Sequence, residues 1–145
     1  MNNLNYLYIM PILLVILSNV FYHMFSKNTP SDVNPFLALI ATYGVALVSS
    51  ILLFFLTKKE SLIMEMSKMN ISNFLLGLAV LGVEGGYLLM YRNGWEISKG
   101  SLIANMCVSV IMLFVGWLLY KEGLSMKKLA GIAICIAGMF IINTK

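Results

Sequence analysis

Five long runs of apolar residues, separated by short polar segments, set the pattern of this chain. A lipid hydrocarbon core about 30 Å thick needs about 20 helical residues to cross it. We therefore predict five transmembrane helices, over residues of about 4–25, 36–56, 71–91, 101–120 and 126–143. Because the links between them are short, neighbouring helices are expected to be antiparallel. The prediction is an all-α integral membrane protein with a single transmembrane domain, 1–145.

Local signals mark where two of these helices begin. Asn34 followed by Pro35 is a typical N-cap and first-turn pair for the second helix. Asn70 or Ser72 is expected to cap the third helix. The link before it, TKKESLIMEMSKMN, mixes charged and apolar residues, and we expect a short turn at the membrane interface there.

Composition supports a membrane protein and excludes a soluble domain. Apolar residues make up 60% of the chain and charged residues 11%, with a mean hydropathy of +0.89, whereas soluble domains average about 25% charged residues. The two cysteines, Cys107 and Cys135, lie inside apolar runs at a spacing that fits neither a metal site nor a redox motif. With one histidine and no Cys/His cluster in the chain, we expect no structural metal. We also expect no cofactor. The N-terminus lacks the features of a cleaved signal peptide, so we expect it to remain as the first span.

The net charge of +4 bears on membrane topology rather than on nucleic acid. With five spans, six basic residues lie on one side and four on the other. The first set is Lys58, Lys59, Lys68, Lys121, Lys127 and Lys128, and the second is Lys27, Arg92, Lys99 and Lys145. The positive-inside rule places the larger set in the cytoplasm, with the N-terminus inside and the C-terminus outside. A bias this small lets the chain insert in both orientations, which makes an antiparallel homodimer plausible.

A carboxylate stands well inside the third apolar run, at Glu84 in the stretch GLAVLGVEGGYLLMYRNGW. A charge at the centre of a membrane helix costs roughly 2.5–3.5 kcal/mol on insertion scales. Gly85 and Gly86 follow it and weaken the helix further unless close packing needs them. One interpretation is a carboxylate in a low-dielectric cavity that exchanges a proton or pairs with a cationic substrate. The other is a neutral Glu84 that joins two helices by a hydrogen bond. We favour the first, since intramembrane carboxylates usually have a function.

Other polar and aromatic residues could complete a substrate or proton site. Tyr87 and Tyr91 share a helix face with Glu84, at spacings of three and four residues, and could offer ring faces to a cation. Asn19 is expected in the wall of a cavity. His23 could relay protons, although a position at the headgroup level, marking the end of the first helix, is slightly favoured. Asn105 belongs to a polar stripe with Ser101 and Ser109 that either lines a cavity or bonds to a neighbouring helix.

Small residues indicate helix packing or a dimer contact. Gly82 and Gly86 form a GxxxG pattern, a weak signal in apolar sequence. Gly131 and Gly138 give the last helix a small-residue surface, either a dimer seam or a contact within the bundle.

The second half of the chain resembles the end of an EamA-type domain of the drug/metabolite transporter superfamily. The resemblance covers roughly the last 75 residues well, and the first two predicted helices match in hydropathy and order only. Its elements are Gly86-Tyr87-Leu88-Leu89 leading to Tyr91, small residues opening the fourth helix, Lys121-Glu122 and Leu124 closing it, and Gly131 and Gly138. Lys121-Glu122 stands where the family usually has Gly-Glu. Most such transporters resemble two five-helix halves fused with inverted topology, and this chain resembles one half.

The resemblance implies secondary transport of small metabolites or drugs, often driven by protons or by exchange. We expect an antiparallel homodimer in a prokaryotic inner (plasma) membrane that works by alternating access. An organic cation or amine is favoured on charge complementarity to Glu84. The alternatives are a non-transporting subunit or scaffold of a larger complex, one half of a heterodimeric transporter, and a flippase for lipid-linked carriers. An enzyme is not expected, because no nucleophile–base pair, metal motif or phosphate loop is present.

Overall fold

The computed structural model describes residues 3–57 and 60–143, without the side chains of residues 3–5, 7 and 143. That part of the chain forms helices joined by short links. They are α1 (Asn3–Asn28), α2 (Pro35–Thr57), α3 (Leu62–Ser67), α4 (Ile71–Arg92), α5 (Ile97–Tyr120) and α6 (Met126–Asn143). Lys58, Lys59 and Lys145 of the topology prediction lie outside the described residues.

Four of these helices are long and apolar enough to cross a membrane, namely Tyr8–Asn28 within α1, together with α2, α4 and α5. The protein is therefore of the all-α membrane class. The fifth predicted span, α6, is not among the four, and its crossing of the membrane stays a prediction. The link expected to form an interfacial turn contains the short helix α3, where Lys68 forms ion pairs with Glu60 and Glu65.

The chain divides into two compact units, Met1–Asn93 and Gly94–Lys145. In the first unit α4 is central, since α1 and α2 both pack against it. In the second unit α5 packs against α6. Helix α4 therefore presents one set of side chains to α1 and another to α2.

Two basic side chains connect the end of α4 with the end of α1 and with the link that follows α1. Lys27 donates from Nζ to the carbonyl oxygen of Tyr91 at 3.4 Å, and its ammonium lies 5.7 Å from the centre of the Tyr91 ring. Arg92 donates to the carbonyl oxygen of Pro30 at 3.0 Å. These contacts hold the register of α1 on α4 near the aromatic side chains described below.

The starts of α2 and α4 have the expected caps. The side-chain oxygen of Asn34 accepts from the amide of Phe36 at 2.9 Å, and Pro35 begins the helix. At the start of α4 the cap is Asn70, whose side-chain oxygen accepts from the amide of Ser72 at 3.0 Å. The side-chain oxygen of Asn73 accepts in return from the Asn70 amide at 3.0 Å. This reciprocal pair satisfies amides that have no partner within the helix.

The apolar pattern does not predict where helix α5 begins or the backbone conformation at its end. It begins at Ile97, upstream of the predicted start, after Glu96, which forms an ion pair with Lys99 at 3.1 Å. At its other end Lys121 has a φ of 55°, in the left-handed region that favours glycine. The following amide, of Glu122, donates to the carbonyl oxygen of Gly116 at 3.0 Å. The family resemblance places glycine at position 121, and the backbone there has the conformation that glycine adopts most easily.

Candidate functional site

Glu84 lies on the face of α4 that packs against α2, where it is half-buried. The hydroxyl of Tyr43 on α2 lies close enough to interact with the carboxylate, although their geometry does not meet that of a regular hydrogen bond. Leu39, one turn before Tyr43, is buried and lies 3.8 Å from the position that a Cβ on Gly85 would take. The carboxylate is therefore held where α2 comes close to α4.

An aromatic cluster, consisting of Tyr22, His23, Tyr87 and Tyr91, joins α1 to α4. His23 and Tyr91 are 7% and 4% exposed, which makes them two of the few buried side chains among the described residues. Their Nδ1 and hydroxyl oxygen are 3.0 Å apart, a hydrogen bond between the two helices. The ring centre of Tyr87 lies 4.8 Å from that of His23 and 6.2 Å from that of Tyr91. The rings are thus packed against one another.

Several polar atoms next to Glu84 and in this cluster have no hydrogen-bond partner among the described residues. They are the hydroxyl groups of Tyr22 and Tyr43, and Nε2 of His23. Buried polar groups without a partner are rare and costly. All three groups belong to the first unit, and the hydroxyl of Tyr43 lies near the Glu84 carboxylate.

A cavity of about 210 Å³ lies between α1, α2 and α4. Its wall includes Glu84 and Leu88 of α4, Leu39 and Thr42 of α2, and Tyr22, Ser26 and Thr29 of α1 and the link after it. The cavity thus combines one carboxylate and several hydroxyl groups with apolar side chains.

The residues predicted for a site lie in different places. Glu84 lines the cavity, while Tyr87, Tyr91 and His23 come together in the aromatic cluster. The ring of His23 is buried against α4, and α1 continues beyond it to Asn28, so the histidine does not lie at the end of its helix. Its part in proton transfer stays a prediction.

Asn19 and Asn105 are exposed, and the hydrogen bonds seen around them stay within their own helices. The side-chain amide of Asn19 donates to the carbonyl oxygen of Val15 at 3.1 Å. In the second unit, Ser101 donates to the carbonyl oxygen of Ile97, and Ser109 donates to that of Asn105. A role for either asparagine in a site stays a prediction.

The glycines predicted for helix packing or a dimer contact are not packed closely against another described helix of the chain. A Cβ added to Gly82, Gly86, Gly131 or Gly138 would meet no described atom within 4 Å. The approach of α2 to α4 is instead at Gly85, beside Leu39. The open glycine surfaces leave the predicted dimer seam as a prediction.

The sequence pattern gives little weight to the side chains of α2. Thr42 with Ser49 and Tyr43 with Ser50 form polar pairs that are more often a packing feature than a site, and Leu39 has no signal of its own. Leu39, Thr42 and Tyr43 share a helix face at spacings of three and four residues. That spacing is the signal that assigns the three residues to one face of α2, but it identifies a site only when α4 is known to be the neighbouring helix.

Comparison with known proteins gives one match. The model of the EamA-like transporter family matches residues 6–144, so the similarity extends over the first two helices as well as the second half of the chain. This is a family of transporters and not of enzymes. No curated protein and no solved structure matches the chain.

Proposed function

This chain belongs to the EamA-like transporter family, and from that premise we propose that it is a proton-coupled secondary transporter of small organic cations. The observation that carries the proposal is the cavity of the first unit, because Glu84 stands in its wall within a membrane-spanning helix. A carboxylate in that position can hold a proton or a cation but not both at once. Exchange of one for the other would couple the movement of the two in opposite directions.

The proposed working form is an antiparallel homodimer in a prokaryotic inner membrane. Transporters with inverted repeats bind their substrate near the middle of the bilayer, between the repeats. Two oppositely oriented copies would supply those repeats and one Glu84 each. In this assembly α6 is the fifth span, since its 18 residues give a length of about 27 Å at 1.5 Å per residue. Lys127 and Lys128, at its start, can extend the span by reaching to the headgroups.

Transport by the purified protein in liposomes tests the proposal. With the interior more acidic than the exterior, we expect accumulation of labelled organic cations, tested from primary to quaternary ammonium, above that of protein-free liposomes. Accumulation should disappear when the pH gradient is collapsed. Glu84→Gln should abolish the accumulation, because the glutamine side chain carries no charge and does not exchange a proton in the pH range of such an experiment.

Glu96→Gln is the matched control. Glu96 is exposed and its ion pair with Lys99 lies at the surface, where such pairs contribute little to stability. This variant should transport at the rate of the unchanged protein. Full retention of transport and of its pH dependence in Glu84→Gln would show that the carboxylate is not the coupling group.

A further inference from the structure

The cavity is small and partly open. Its volume of about 210 Å³ is below the range of about 300–1,000 Å³ of pockets that enclose drug-sized ligands. The part of a ligand that it can surround is therefore small.

Two hydroxyl groups in the wall are restricted to accepting hydrogen bonds. Thr29 donates its hydroxyl hydrogen to the carbonyl oxygen of Phe25, and Thr42 donates to that of Ala38, each at 3.1 Å. A hydroxyl group has one hydrogen and two acceptor lone pairs. Since both hydrogens are used, these oxygens can only accept from a ligand. Ionised Glu84 is likewise an acceptor only.

The aromatic side chains do not form an open cage for a cation. Tyr87 and Tyr91 pack against each other and against His23, and neither of them lines the cavity. Tyr22 lines it, but its ring also contacts that of Tyr87. The cavity is therefore better suited to a ligand that donates hydrogen bonds than to one held by ring faces alone.

We infer that the cavity binds a small primary ammonium ion in preference to a quaternary ammonium ion of similar size. This inference rests on the proposed function and narrows its substrate class. A primary ammonium group has three N–H donors, as many as the acceptor groups named here in the wall, which are the Glu84 carboxylate and the oxygens of Thr29 and Thr42. A quaternary ammonium ion has the charge but no donor, so it would form no hydrogen bond with the carboxylate or with either threonine oxygen. Sites built to hydrogen-bond a ligand discriminate strongly against analogues that lack the group.

Equilibrium binding to the purified full-length protein tests the inference, with n-propylammonium and tetramethylammonium as probes. We expect the unchanged protein to bind n-propylammonium about tenfold more tightly or better, the effect of about one charge-assisted hydrogen bond. Thr42→Val should weaken n-propylammonium binding by about tenfold and leave tetramethylammonium binding unchanged. Thr42→Ser should restore the preference, because serine keeps the hydroxyl group.

The possible outcomes separate the inference from the proposed function. Equal or tighter binding of tetramethylammonium, or equal weakening of both ions by Thr42→Val, overturns the inference. Glu84-dependent uptake of tetramethylammonium would in that case leave the proposed function standing. Binding of neither ion overturns the inference. Absence of Glu84-dependent transport of any cation overturns the proposed function as well.

Discussion

At the residue scale, the hydrogen bond between His23 and Tyr91 is a buried polar contact between two membrane helices. In lipid such bonds average about 0.6 kcal/mol and reach about 1.7 kcal/mol. Leaving a buried partner unsatisfied adds a desolvation cost of about 1–3 kcal/mol. Because no described residue bonds to Nε2 of His23, loss of the bond at Nδ1 would leave the imidazole without a hydrogen-bond partner in the part of the chain that the structure describes.

We therefore expect Tyr91→Phe to lower the free energy of unfolding by about 1–2 kcal/mol. The measurement is unfolding by dodecyl sulfate in mixed micelles, followed by circular dichroism. Tyr22→Phe is the control, because the buried hydroxyl of Tyr22 bonds to no residue that the structure describes, and its removal should be neutral or slightly stabilising. Equal destabilisation by the two variants would mean that ring packing, rather than the hydrogen bond, holds the cluster together.

At the element scale, the sequence predicts which helices exist better than how they face one another. A carboxylate inside an apolar run identifies Glu84, and spacings of three and four residues predict Tyr87 and Tyr91 on its side of α4. In the structure Glu84 faces α2, whereas the two tyrosines pack against α1. The apolar pattern does not tell which helix packs against each face of α4, since lipid-facing and helix-facing positions are equally apolar in these spans. The contact of Glu84 with α2, and the burial of His23 against α4, depend on that choice of neighbour.

The cap of α4 is a local element whose effect can be measured independently of its neighbours. Asn70 accepts from the Ser72 amide, and its own amide donates to the side chain of Asn73. Asn70→Ala should cost about 1 kcal/mol of stability in the same unfolding experiment, and Asn70→Ser should recover most of it.

Ser61 provides a comparison within the same chain. It precedes α3 at the N-cap position, but its side chain makes no capping hydrogen bond. Ser61→Ala should leave the free energy of unfolding unchanged. A cost for Ser61→Ala as large as that for Asn70→Ala would assign the effect to the loss of a polar side chain near the interface rather than to capping.

At the scale of the whole molecule, the balance of basic residues decides how the chain inserts. The predicted sides carry six and four lysines or arginines, and acidic residues contribute little to orientation. The antiparallel homodimer requires both orientations to be populated in one membrane. Reporters fused to the C-terminus detect them separately, since alkaline phosphatase is active only outside the cytoplasm and green fluorescent protein fluoresces only inside it. We expect both reporters to be active.

Changing the number of basic residues on one side of the membrane should shift the populations of the two orientations in a known direction. Replacing Lys121, Lys127 and Lys128 with glutamine leaves three basic residues on the first side against four on the other. We expect the phosphatase signal to fall and the fluorescence to rise, because the favoured orientation reverses. Glu60→Gln with Glu65→Gln is the control and should shift neither signal. If the unchanged protein shows one reporter only, the two copies are parallel or the partner is a different chain, and the cavity of each copy must work without an inverted neighbour.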